Sequence, residues 1–312
     1  MQALEPAARV PTFFSFRRYI WPHMKLPKDR VAYSAIVDRP PLKLPNDARV
    51  AVWTIVNVEE WSIERAMPRM VLSPPQGQPL LPDLPNWAWH EYGMRVGFWR
   101  FVEVLEKFGL KATLAINGSV IKSYPRVAEA ALKAGWEFMG HGYIQRPMHH
   151  VEDQRDAIHK TVAEIKAFTG KKPRGWESPG LTETYDTIDW LAEAGIEYVA
   201  DWVLDDQPVK VQTAHGPIVS VPYTVEMNDI SMMVLQHHPS EQWLRRGIDH
   251  FDRLYADGER TARVMAISVH PYITGVPHRI AYLERLYEYI RQRPGVALWT
   301  GEEILDWYLG KG

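Results

Sequence analysis

From about Gly93 onward the chain alternates short apolar runs with amphipathic stretches, and this alternation limits its fold more than any other feature. Residues 111–116, 136–139, 173–177, 197–201, 263–269 and 296–299 read as strands, and 49–57 supplies an earlier one. Helical spacing runs through 98–108, 122–134, 151–168, 184–194, 240–257, 278–292 and 301–309. In 151–168, Val151, Ile158, Val162, Ile165 and Phe168 share one face. Strands alternating with helices of this size imply a parallel sheet, so the predicted class is α/β. Seven or so such units favour a closed or distorted barrel. The stretch 217–236 reads as β-rich, and Gly258 as the stop of the helix before it.

Composition removes several classes of function. The 312 residues suffice for one large domain or two small ones. Residues 1–47, rich in proline, arginine and aromatics without clean periodicity, read as an extended arm lying on its own or a neighbouring subunit. Residues 48–312 form the predicted barrel domain, and the arm makes a homo-oligomer the expected assembly. A formal net charge of −2, with no basic stripe, gives no reason to expect nucleic acid. With no cysteine, disulfides, thiolate catalysis and cysteine-held metals are excluded. No secretory pattern and no bilayer-length apolar run is evident, so a cytoplasmic protein with a small-molecule substrate and no membrane partner is expected. The proline-rich loop over 74–85 reads as a lid or rim, and Trp87, Trp89 and Trp99 as core with a few rings at a pocket.

Ligands of α/β folds gather where strands leave the sheet at their carboxyl ends. Four predicted strands end there in titratable residues. Met139-Gly140-His141-Gly142 places a histidine between glycines that let backbone approach closely. Ile267-Ser268-Val269-His270 repeats the construction. Asn57-Val58-Glu59-Glu60 ends the first strand, and alternation puts Asn57 and Glu59 on one face and Glu60 on the other. Trp176-Glu177-Ser178-Pro179-Gly180 places a carboxylate after tryptophan at a turn, where desolvation would raise its pKa and suit it to acid catalysis; a helix-start charge is the rival reading. Asp201, after another strand, is placed to orient a histidine.

Taken in order over residues 49–300, these strand ends resemble the polysaccharide deacetylase (NodB-homology) family. The resemblance implies a distorted (β/α)7 barrel that hydrolyses N-acyl groups with a divalent metal such as zinc. It also implies a first motif with a catalytic aspartate and a metal-binding carboxylate, matched here by Asn57 and Glu59. A second histidine pair becomes His141 and Gln145, an arginine beside proline becomes Glu177, and the last histidine is His270. These departures, the Gly-His-Gly form, and Tyr92-Gly93-Met94-Arg95-Val96-Gly97 look like the branch of cofactor-independent allantoinases and cyclic imidases.

The expected function is therefore hydrolysis of a non-peptide C–N bond in a small cyclic amide, imide or ureide. Glu59, His141, His270 and Glu177 are the expected catalytic residues, and Asn57, Trp176, Arg95 and Asp201 the expected substrate contacts. Glu59 and His141 would be ligands if a metal is bound, which the sequence leaves open. The alternatives are a metal-dependent N-deacetylase of N-acetylated sugars and a non-catalytic small-molecule-binding barrel.

Overall fold

A computed structural model describes residues 26–311. The first strand, β1 (Val50–Val58), is apolar and β-branched almost throughout and is buried at all nine positions. A strand like that needs cover on both faces, as parallel α/β sheets provide. The other strands are β2 (Thr113–Ile116), β3 (Glu137–Gly140), β4 (Gly175–Trp176), β5 (Tyr198–Val199), β6 (Val209–Val211), β7 (Ile218–Ser220), β8 (Arg263–Val269) and β9 (Val296–Leu298). The sheet runs β6-β7-β5-β4-β3-β2-β1-β8, with β9 also pairing β1. All these pairings are parallel except β6 with β7. Seven of these strands, β1–β5, β7 and β8, form the parallel set of the expected distorted barrel, and antiparallel β6 and short β9 are added to it.

Alternation along β1 divides the core. Val52, Val56 and Val58 pack with Phe98, Phe101 and Leu286 of the outer helices. Ala51, Trp53 and Ile55 meet Tyr198 and Val219 from other strands, and Tyr223 from the loop after β7, in the barrel interior. The interior face of β1 continues to Asn57 and Glu59, so the pleat itself delivers these two side chains to one side.

The curled sheet does not close by pairing β6 with β8. The amino-terminal segment and the loop before β6 cover the seam. Leu42 accepts the Ala262 backbone N–H at 2.9 Å, and Asp206 accepts that of Val264 at 2.9 Å. Arg39 pairs with Asp205 at 2.6 Å, and buried Arg30 makes two 2.8 Å bonds to Asp189. The described part of the predicted arm therefore packs on its own barrel; residues 1–25 lie outside the described residues.

The expected helix over 122–134 is divided at Tyr124, because Pro125 starts a new one (Pro125–Lys133). After β7 the expected β-rich stretch turns instead into short 3₁₀ and π segments, Val225–Met227 and Ile230–Leu235. Gly258 follows the helix Ser240–Asp257 in right-handed conformation, so it is not a left-handed cap. It fits because a Cβ there would lie 2.4 Å from the Arg49 carbonyl. No helix of the described residues is long and apolar enough to cross a membrane.

Candidate active site

Parallel register brings the carboxyl ends of β1, β3, β4 and β8 level with one another. Gly140 pairs Trp176 and Val56 pairs Val269, so Glu59, His141, Glu177 and His270 leave the sheet as neighbours. All four line one cavity of about 570 Å³ and are nearly inaccessible to solvent. Asn57 joins them; its amide donates to Ser268 at 2.9 Å and leaves its buried Oδ1 without a partner.

Glu59 is the centre of the arrangement. Its Oε1 lies 3.8 Å from His141 Nε2 and 3.6 Å from His270 Nε2 and accepts the Gln145 amide N–H at 2.8 Å. Its Oε2 accepts Trp61 Nε1–H at 2.6 Å and the Tyr272 hydroxyl at 3.2 Å. Burial would raise this carboxyl. The two histidines that face it, through their polarity and their charge when protonated, outweigh burial and hold it well below the ordinary carboxylate range.

The tautomers follow from the outer partners. His141 Nδ1 lies 2.6 Å from the Glu177 backbone carbonyl, which can only accept, so this nitrogen carries a proton. Its Nε2 has no hydrogen-bond partner and turns toward Glu59. His270 Nδ1 is 2.6 Å from Asp229 Oδ1, while Asp229 Oδ2 accepts the His270 N–H at 2.8 Å and the Thr274 hydroxyl at 2.6 Å. Burial opposes protonation of both rings, yet the neighbouring carboxylates raise them. His141 is raised by the facing Glu59 carboxylate and the Glu177 charge, and His270 is pushed up to about 10, mainly by Asp229. Glu177 behaves oppositely. Burial dominates and raises its carboxyl to about 7, and its Oε2 is buried without a partner.

Other expected residues are placed elsewhere. Arg95 is exposed and does not line the cavity. Its segment is a π-helix, Gly93–Gly97, whose glycines press on the loop after His270: a Cβ on Gly97 would lie 2.1 Å from the Pro271 carbonyl oxygen, and one on Gly93 2.5 Å from Tyr272 N. Trp176 is fully buried behind Gly140 and bonds Ser178. Asp201 lines an adjoining recess and accepts the Ser178 N–H at 2.6 Å, positioning the 177–180 turn. The loop 74–85 and Trp87, Trp89 and Trp99 do not line the cavity; residues 62–69 form its rim instead. Trp89 packs on Trp61 and Tyr272.

Sequence reasoning missed Asp229, Trp61, Tyr272 and His90. His90 stacks on Trp61 at 4.5 Å and faces the Glu59 carbonyl at 3.0 Å. Asn117 was also missed, although it binds both β1 and β3 ends: its Oδ1 accepts the Glu60 N–H at 2.9 Å, and its amide donates to the His141 carbonyl. Only Asn117 had a local signal, standing directly after the apolar run of β2.

Gly140 tests how tightly this frame is built. A Cβ there would lie 2.5 Å from Trp176 Cε3, and the ring is tied to Ser178. Gly140→Ala is expected to cost about 1–3 kcal/mol in denaturant unfolding, as overpacking does, and to lower turnover because His141 follows directly. Unchanged stability would mean that the ring relaxes freely.

Residues 90–199 match the polysaccharide deacetylase family model. Over that stretch the chain is similar to the polysaccharide deacetylases. A Schizosaccharomyces pombe protein named for the polysaccharide deacetylases is 26% identical, spanning 86% of this chain and 92% of the relative. The Helicobacter pylori peptidoglycan deacetylase is 25% identical over 69% of this chain and 84% of its own. The solved PuuE allantoinase shares the fold, with a TM-score of 0.81 at 24% identity over 91% of this chain and 98% of its own.

The similarity to polysaccharide deacetylases implies a divalent metal, and the donor set bears on that. Catalytic zinc centres are built from three protein ligands. Among the described residues no group of three or more His, Asp or Glu side chains converges to hold an ion. His141 and His270 both turn toward Glu59, but the three are not disposed around a common ion position, and Gln145 donates an N–H to Glu59 where a further ligand would stand. These residues do not fit a three-ligand metal centre.

Proposed function

We propose that this protein is a hydrolase of non-peptide C–N bonds that opens a small cyclic amide, imide or ureide. The observation that carries this reading is the pairing of opposite protonation preferences across one cavity. Glu59 is held anionic between two imidazoles, while Glu177 is held toward its neutral acid form. Two groups with pKa values pushed apart are what concerted acid–base chemistry at neutral pH requires.

In this reading a water sits against Glu59 and His141. With His141 in its neutral form, protonated at Nδ1 only, the water proton passes to its Nε2 as the oxygen attacks the ring carbonyl carbon, and Glu59 stabilises the imidazolium formed. The cationic His270, fixed by Asp229, stabilises the developing oxyanion. The C–N bond then breaks, and Glu177 gives its proton to the departing nitrogen. Asn57 Oδ1 accepts a substrate N–H. The cavity size suits a small ring, and the donor set around Glu59 favours a route in which residues activate the water.

The rival reading is an N-deacetylase acting on N-acetylated sugars, favoured by the name of the Helicobacter pylori relative. One panel separates them: hydantoin, allantoin, succinimide, maleimide, dihydrouracil and chitooligosaccharide, each with and without EDTA. Ring opening that persists in chelator is the expected result. Acetate release from chitooligosaccharide, abolished by chelator, would overturn it.

A further inference from the structure

The cavity that holds Glu59 is also lined by three arginines, Arg65, Arg69 and Arg146. Elsewhere the half-buried or buried arginines Arg30, Arg39 and Arg174 meet carboxylates at 2.8, 2.6 and 2.8 Å. Among the described residues none of the three cavity arginines has an ion-pair partner. Arg69 is the most informative. It is half-buried, one terminal nitrogen donates to the Pro68 carbonyl at 3.0 Å, and its buried Nε has no partner at all. Its other terminal nitrogen reaches over Gly180, in the turn that follows Glu177. Its charge is felt at the Tyr272 hydroxyl, which donates to Glu59.

A guanidinium taken partly out of water without a counter-charge is costly, and its planar fork matches a carboxylate. Arg65 is solvent-exposed and Arg146 partly so, which extends the same charge outward where an entering anion meets it first. We propose that Arg69, with Arg65 and Arg146 outside it, binds a carboxylate carried by the substrate, so that the preferred substrates are cyclic amides or ureides with an acidic substituent. This rests on the ring-opening reading of the site and adds the substrate class to it. The neutral ring lies over Glu59 and His141 while the acid arm reaches the arginines. Placing the recognition charge away from the reacting carbonyl leaves Glu59 free of a competing anion.

Two measurements on the full chain test the proposal. The first compares kcat/KM for hydantoin-5-acetic acid and for hydantoin in wild type, Arg69→Gln and Arg69→Lys. The ratio favouring the acid is expected to fall on the order of 10- to 100-fold in Arg69→Gln, chiefly through KM, and to recover in part in Arg69→Lys. An unchanged ratio overturns the proposal. The second titrates succinate, an unreactive dicarboxylate, by calorimetry. Saturable binding weakened on the order of 10- to 100-fold in Arg69→Gln supports an anion site even if neither ring is opened, a result that would count against the hydrolase reading alone. Absence of succinate binding, or equal binding in both proteins, overturns the anion site while leaving ring opening to stand on its own. Thermal unfolding of each variant checks that the fold is intact.

Discussion

Replacing Glu59 with glutamine is expected to lower turnover by ~10²–10⁴-fold without unfolding the protein, the range for loss of acid–base function. Glutamine keeps the shape and can still accept from Trp61 and Tyr272, so the Oε2 side of the site survives. On the Oε1 side the negative charge between His141 and His270 is gone. The two rings lose the partner that raises them, and an imidazolium formed at His141 is no longer stabilised. The expected result therefore has two parts: a loss in kcat, and a downward movement of both histidine titrations in NMR. Turnover within threefold of wild type, in a folded variant, would remove Glu59 from the mechanism.

The second large effect concerns Glu177 and pH. Burial raises its carboxyl to about 7, so the acid form that donates to nitrogen is abundant below that pH. As pH rises through about 7 the proton is lost, and kcat/KM is expected to fall by about tenfold per unit beyond it. Glu177→Gln keeps an N–H donor but cannot release a proton, so turnover should drop ~10²–10³-fold and this alkaline limb should flatten. The stability linkage has a definite sign. The folded value lies above the unfolded one of about 4.3, so the contribution is complete below that pH and is lost as pH rises through about 7. Glu177→Gln should remove that slope from the unfolding curve between those limits. A pH–rate profile with the same alkaline limb in both proteins would assign the limb to another group.

What could be read in the chain was whatever a local pattern marks. An apolar run closed by a titratable residue signalled Glu59, His141, Glu177 and His270, and strand pairing does bring these four to one cavity. The pleat of β1 sets Asn57 beside Glu59 for the same reason. Partners from distant turns left no such mark. Asp229 lies 41 residues from His270, in a stretch whose apolar residues read as β but fold as 3₁₀ and π turns. Gln145 was visible as an exception to a motif, yet its bond to Glu59 depends on a loop path that periodicity does not describe. Arg95 shows the reverse error. Its surrounding glycines were informative, but about backbone packing on Pro271 and Tyr272, and the side chain between them faces solvent.

The seam beside β8 has a consequence away from the chemistry. An edge strand with free N–H and C=O groups is a template on which other chains can add. Here the Leu42 and Asp206 carbonyls accept the Ala262 and Val264 N–H groups of that edge from within the same molecule. The segment leading into the barrel thus works as a built-in guard against sheet-to-sheet growth. Its contribution lies in colloidal behaviour: a chain beginning beyond Leu42 would keep its catalytic groups and the Asp206 contact while freeing the Ala262 N–H at the start of that edge.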